Sequence, residues 1–375
     1  MYSKELIKNV YKYDKEDQDN FFEDKKINYF DVFDTTKFNI FGSAVKDKKI
    51  LFRFTLQDIE KIGSASDAVS YLATNSSGLQ VRFKTDSRRI FLRVLQNGVF
   101  DMKNMTFMGQ CGFDLYYKEE DSDEFRFMNS GFPNYIDTKK YITILGGFKD
   151  SKIREYIINF PLYSTTTQLE IGLEENSVVY PTEFKNKGRI VTYGTSILQG
   201  GCVSRPGLSV TNMLSRYLDQ EVLNFGFSGA GLLENEIGEV IANISKDIKI
   251  LIIDAEANAG CDTWMYDRLE GFLNKFYELY PDLKVIIMNK TKMTIDKYIA
   301  RNKRIKLFND KFLKNIVKKY RKKGFKIMFF NNYNIFKLPY LNEDEFTVDG
   351  VHPNDIGMYL LFKNYLKAIR KVEKI

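Results

Sequence analysis

The hydrophobic pattern changes its period near residue 186. From about residue 28 to 180, apolar positions come in short runs rich in aromatic and β-branched residues. These are Lys49–Leu56, Gly78–Lys84, Arg89–Leu95, Phe113–Tyr117, Glu124–Met128, Lys140–Leu145, Arg154–Phe160 and Gln168–Leu173. Turn formers separate them, as at Asn75-Ser76-Ser77-Gly78, Thr85-Asp86-Ser87, Gly146-Gly147 and Asp150-Ser151. Val81-Arg82-Phe83-Lys84 alternates with period two, as in a sheet with one wet face. Many short strands at close spacing predict an all-β sandwich or jelly roll over residues 1–185.

After Lys185-Asn186-Lys187-Gly188 the pattern becomes strand, helix, strand. Ile190–Tyr193, Glu221–Asn224, Ile248–Asp254, Lys284–Met288 and Phe325–Phe330 read as buried strands. Between them, Leu208–Leu218, Glu234–Ile244, Thr263–Tyr280 and Asn302–Lys322 carry helical patterning, and a last helix runs from about Asn354 to Val372. Ile248–Asp254 is mostly aliphatic without polar alternation, the mark of a strand covered on both faces. Residues 186–375 are therefore expected to form an α/β domain with a parallel sheet between helical layers. A length of 375 residues fits two domains.

Charge changes this picture little. The net charge is +7, but 56 basic residues face 49 acidic ones along the whole chain. The densest basic run, Lys318–Lys323 before Gly324, has the form of a helix end, where cations favour the dipole and glycine supplies the stop. No nucleic-acid partner is expected. The three cysteines, Cys111, Cys202 and Cys261, are far apart and form no CxxC pair, so neither a disulfide framework nor a zinc site is indicated. With a single histidine in the chain, no histidine-rich metal site is possible, and neither metal nor cofactor is expected. The first 20 residues show no apolar leader core, and no apolar run approaches the ~20 residues of a membrane helix, which leads to the expectation of a cytoplasmic protein without a membrane partner.

In an open parallel sheet, ligands bind beyond the carboxyl ends of the strands. The first strand is followed by Gly194-Thr195-Ser196-Ile197, the second by Phe225-Gly226-Phe227-Ser228-Gly229, and the third by Ala255-Glu256-Ala257-Asn258. Asp349-Gly350-Val351-His352-Pro353 precedes the last helix. A serine hydroxyl becomes a useful nucleophile only when a neighbouring base takes its proton. His352, the one histidine, is suited to that task near neutral pH. Asp349, three residues earlier, could fix its tautomer. Oxyanion donors are available from the Ser196 and Gly229 backbone N–H groups and the Asn258 amide.

The blocks YGTSILQGG, NFGFSG, DAEAN and DGVHP resemble those of SGNH (GDSL-like) hydrolases. GTSILQGGCVSRPG, DGVHPNDIGM and the GxDLY match Gly112-Phe113-Asp114-Leu115-Tyr116 resemble a subgroup with an N-terminal β-sandwich. The resemblance implies a flavodoxin-like αβα sandwich, with Ser196 as nucleophile, His352 as base, Asp349 orienting it, and Ser196, Gly229 and Asn258 as the oxyanion hole. It implies ester hydrolysis, often of acetyl groups on carbohydrates, with acyl transfer in some members. Thr195 replaces the more usual aspartate of the GDS core, and DAEAN departs from the commoner GxND form.

Thr195, Cys202, Arg205 and Glu256 are further candidates for contact with substrate. Three of them also have a structural reading: packing for Cys202, a helix-start salt bridge for Arg205, a surface loop for Glu256. Asp114 and Tyr116 are expected to organise a turn or the domain interface, and Trp264 to be core rather than a sugar platform. The expected partner is a small acylated, carbohydrate-type substrate, with a homo-oligomer possible. An O-acyltransferase with the same triad and a non-catalytic carbohydrate-binding protein are the alternatives.

Overall fold

In the computed structural model of the chain, the described residues are 26–43, 50–98, 102–133 and 137–375. The N-terminal stretch read for a leader and Lys49 lie outside them. Among the described residues, the first half holds ten strands: β1 (Ile27–Asp31), β2 (Asn39–Phe41), β3 (Gln80–Thr85), β4 (Arg89–Gln96), β5 (Phe113–Lys118), β6 (Arg126–Gly131), β7 (Lys140–Gly147), β8 (Arg154–Asn159), β9 (Thr166–Glu174) and β10 (Val179–Pro181). They form two antiparallel sheets, ordered β1-β9-β4-β7 and β10-β3-β8-β5-β6, with β2 also pairing β3. Alternate residues of both sheets, among them Leu92 and Ile171 from one and Val81, Phe83, Leu115 and Ile158 from the other, close a shared core.

The segment read as a strand over Lys49–Leu56 is different. Its described part is irregular up to Thr55, whose side chain caps helix α1 (Leu56–Gly63) in a capping box with Asp58, and a second helix, α2 (Asp67–Ala73), follows. Phe54, Ile62, Val69 and Leu72 join the core of the α/β half instead of the sandwich. The buried Arg53 guanidinium donates to the Asn224 and Gly226 carbonyls, at 3.1 and 2.7 Å, and lies over the Phe227 ring. Aromatic residues that look like a strand in isolation are here anchors onto another layer. A short helix, α3 (Phe107–Cys111), precedes β5.

The second half is a five-stranded parallel sheet of β11 (Asn186–Gly194), β12 (Gln220–Gly226), β13 (Ile248–Asp254), β14 (Lys284–Met288) and β15 (Ile327–Phe330). The order β12-β11-β13-β14-β15 is the flavodoxin-like one, with its switch point between β11 and β13. The helices are α4 (Ser196–Gln199), α5 (Val210–Leu218), α6 (Asn235–Ile244), α7 (Glu256–Ala259), α8 (Trp264–Leu279), α9 (Ala300–Lys322) and α10 (Asp355–Val372). Neighbours along a strand face opposite layers. Val191, Leu251 and Ile253 pack with α6, α8 and α9, while Ile190, Ile250 and Ile252 pack with α5 and α10. This double burial is why the strands are aliphatic throughout. Among the described residues, no helix is long and apolar enough to cross a membrane.

Candidate active site

The site follows from strand register. Gly194 of β11 pairs level with Gly226 of β12 and with Asp254 of β13, so the three following loops leave the sheet at one edge, around the switch point. Thr195 and Ser196 come first. The Thr195 hydroxyl accepts the Ile197 N–H at 3.4 Å and so caps α4, the one-turn helix that Ser196 begins. Thr195 is buried in this capping role.

Ser196 Oγ lies 2.8 Å from His352 Nε2, and His352 Nδ1 lies 2.8 Å from Asp349 Oδ2. An ionised carboxylate only accepts, so Nδ1 carries the ring proton and Nε2 is left to accept the serine proton. The Asp349 carboxylate is fully engaged. Its Oδ1 accepts the Val351 N–H at 3.0 Å and the His352 N–H at 2.8 Å, and its Oδ2 also accepts the Asn104 side-chain amide at 2.8 Å. Partial burial alone would raise its pKa, but the His352 backbone and ring and the Asn104 amide outweigh this and hold it at about 2. The loop is closed by Val348 N–H donating to the His352 carbonyl at 2.9 Å. Asn354, not His352, caps α10, accepting the Gly357 N–H at 3.0 Å.

On the other side of Ser196, Gly229 has φ +65° and open space where a Cβ would stand. That combination suits a backbone N–H that a ligand must approach closely. The Asn258 amide, at the third strand end, donates to the Ala230 carbonyl, tying α7 to the Gly229 turn. An amide nitrogen carries two hydrogens, so a second donor remains. Ser228 N–H donates to Gln199 Oε1 at 2.9 Å, and Asn224 braces the turn through Ser77, Leu198 and Thr211. Both Asn224 and Ser228 shape the loop.

The remaining candidates divide. Cys202 is buried, with φ +75°, and its donor atom and those of Asp349 and His352 all lie within 4.8 Å of one another. Burial, with the nearby Asp349 charge, pushes its thiol up to about 12, so it is not a thiolate nucleophile. A cation held by these three groups would compete with the His352–Asp349 bond. Arg205, read either as a substrate contact or as a helix-start salt bridge, makes a salt bridge. Its Nη1 donates to Asp114 Oδ2 at 3.1 Å and to the Tyr116 hydroxyl at 2.5 Å, and its plane lies over Phe127. Asp114 is fully buried and also accepts from Gly207 N–H and Asn159 Nδ2, both at 2.7 Å. A Cβ at Gly207 would fall 2.5 Å from the Tyr116 ring, so only glycine brings the two halves this close. Asp114 and Tyr116 thus organise the interface.

Glu256 is not the surface loop residue that one of its two readings expects. It is buried, accepting Lys290 N–H and Asn309 Nδ2, both at 2.9 Å, and burial pushes its pKa up to about 7. Asp254, beneath the same loop, is buried against Tyr365 and Asn332 and is pushed up to about 6. Trp264 is part-exposed, with Arg268 over its ring, rather than core. Two residues absent from the sequence reading reach the site. Asn104 touches Asp349, and the buried Tyr163 hydroxyl donates to the Ser196 carbonyl at 3.4 Å. No local pattern marks either, since both come from the first half.

Comparison with known proteins gives a consistent result. The model of the GDSL-like lipase/acylhydrolase family matches residues 187–370, and that of the GxDLY N-terminus of SGNH-hydrolase-type esterases matches residues 27–179. A Bacteroides ovatus protein of the GDSL-like lipase type is 28% identical with a TM-score of 0.82, over 93% of this chain and 99% of that one. The salicylyl-acyltransferase SsfX3 of a tetracycline biosynthetic pathway shares the fold at 13% identity and TM-score 0.73, over 92% and 98% of the two chains. An acetyl xylan esterase of the rumen bacterium Butyrivibrio proteoclasticus does so at 10% identity and TM-score 0.53, also over 92% and 98%. No curated protein matches the sequence.

Proposed function

Since this chain belongs to the SGNH (GDSL-like) family with a GxDLY N-terminal half and is a serine ester hydrolase, we propose that Ser196, His352 and Asp349 are its catalytic triad and that it removes small acyl groups, acetyl foremost, from a carbohydrate-type alcohol. The observation that carries this reading is the unbroken relay from Ser196 Oγ to His352 Nε2 and from His352 Nδ1 to Asp349 Oδ2.

In this reading Ser196 Oγ attacks the acyl carbon while its proton passes to His352 Nε2. The carbonyl oxygen takes the negative charge and is met by the N–H groups of Ser196 and Gly229 and the free hydrogen of the Asn258 amide. The C–O bond to the alcohol breaks, and His352 returns the proton to the leaving oxygen. Water then attacks the acyl-serine, gives its proton to His352, and releases the acid as Ser196 regains its hydrogen. Asp349 keeps the imidazole in the required tautomer and stabilises its cation. The acetyl–carbohydrate substrate is supported by the activity named for the xylan esterase of the same fold. The division near residue 186 gives the chemistry to the second half and a wall of the site to the first.

Acyl transfer to a second alcohol is the other reading, favoured by the likeness to SsfX3. Acetate release from a panel of acetylated sugars, with and without excess free alcohol, separates the two. A hydrolase yields acetate in proportion to sugar deacylated, whereas a transferase yields the new ester instead. Ser196→Ala should abolish either product while leaving the fold intact, and retained turnover would overturn the triad.

A further inference from the structure

The Asp349 carboxylate receives a donor from the other half of the molecule, and the segment that supplies it is braced on both sides. Asn104 lies in the turn before α3. The Gln110 side chain clamps this turn from within, with Oε1 accepting Met102 N–H at 3.0 Å and Nε2 donating to the Met102 and Met105 carbonyls at 3.0 and 2.9 Å. Met105 is buried in the core cluster that contains Ile197, Cys202 and Val203, the chain just after Ser196. The Thr106 hydroxyl donates to the Ser204 carbonyl at 2.7 Å, and Ser204 N–H donates to Asp355 Oδ1 at 2.8 Å, at the start of α10. The turn is thus fixed both to the segment that follows Ser196 and to the helix that follows His352.

From this fixed turn Asn104 Nδ2 reaches Asp349 Oδ2 at 2.8 Å, the same oxygen that accepts His352 Nδ1. The amide can point only one way, because an acceptor-only carboxylate rejects the carbonyl end. The Val351 and His352 N–H groups hold Oδ1, and Asn104 adds to Oδ2 a second donor besides the imidazole, in a place otherwise open to solvent. With this donor, Oδ2 is fixed in the line of the imidazole N–H. We propose, resting on the triad reading above, that Asn104 of the N-terminal half is a positioning residue of the active site, one that holds the Asp349 carboxylate in register with His352. Asn104 acts through Asp349 and touches no reacting atom. The β-rich half thereby completes the base side of the site, and an α/β half alone would lack this fourth donor.

The test uses the full chain and a small ester, p-nitrophenyl acetate, with Asn104→Ala and the isosteric Asn104→Asp. Loss of one hydrogen bond to a charged group predicts a kcat lower by roughly tenfold in Asn104→Ala, with KM changed by less than about twofold. Asn104→Asp, which sets a second carboxylate against Asp349 without altering side-chain volume, should lose more. The lone histidine gives a readout that a general loss of fold would not imitate. The Nδ1 proton of His352 should give a single downfield NMR signal, and that signal should shift or broaden in both variants while the rest of the spectrum is kept. Wild-type kcat and an unmoved signal in both variants would overturn the proposal. If those results come while Ser196→Ala is inactive, the triad survives and only the role of Asn104 falls. If Ser196→Ala retains turnover, both fall.

Discussion

Two carboxylates stand close in sequence to the two sides of the site, and their environments are opposite. Asp349, on the base side, is part-exposed and accepts four hydrogen bonds, two of them from His352; its pKa is held at about 2. Glu256, on the oxyanion side two residues before Asn258, is almost wholly buried and accepts two bonds from neutral donors; its pKa is pushed up to about 7. Burial opposes the charge in both, and the number and kind of donors decide which way each moves. In the proposed triad, Asp349 therefore stays an anion that can balance a developing imidazolium. The two sides are also built differently. Gly229 and Asn258 follow β12 and β13, the two strands that flank β11, and are tied through the Ala230 carbonyl. Asp349 and His352 sit on the long loop between β15 and α10, well past their own strand in sequence, and are tied by side chains from elsewhere.

If the base side depends on the charge and acceptor character of Asp349, Asp349→Asn should have the largest effect. An amide there favours the wrong imidazole tautomer, and kcat should fall on the order of 10⁴-fold with little change in folding, measured by steady-state hydrolysis of p-nitrophenyl acetate. A fall of less than tenfold would mean that the base side does not depend on the charge of Asp349. Removal of one oxyanion donor should cost less. Asn258→Ala is expected to lower kcat by about 10²–10³-fold, and part of that arises because the Gly229 turn loses its tie at Ala230. An unchanged kcat would assign the oxyanion to other donors.

The smallest effect separates the two carboxylates by pH. Glu256 has a folded pKa above its unfolded value, so the folded state binds the extra proton. It therefore contributes a loss of stability as pH rises from about 4.5 to about 7. Asp349 has a depressed folded pKa. Its contribution is present above the unfolded value and disappears only as pH falls from about 3.8 toward about 2. Urea unfolding across these ranges should show a shallower neutral-side slope in Glu256→Gln and a shallower acid-side slope in Asp349→Asn. The same slopes in both variants as in the wild type would mean that neither group is perturbed as described.

The contrast also shows what one sequence can disclose. Asp349 and His352 are three residues apart, and Gly229 and Asn258 follow aliphatic runs that only a doubly covered parallel strand explains, so both were readable from local pattern. Asn104 was not, because it meets Asp349 across 245 residues from a turn with no periodicity. Arg205 had the right chemistry for a substrate contact, and only the fold brings the buried Asp114 to it. The segment around Phe54 fails for the same reason: its apolar residues complete the core of the other half, so tertiary packing overrode a strand-like composition.

The central claim is that Ser196 is made nucleophilic by His352. It is tested most directly by intact-protein and peptide mass spectrometry after exposure to a fluorophosphonate, which reacts with activated serines. The account predicts a single adduct, on the peptide containing Ser196, absent in Ser196→Ala and strongly slowed in His352→Ala. Undiminished labelling of Ser196→Ala, or equal rates with and without His352, would contradict it.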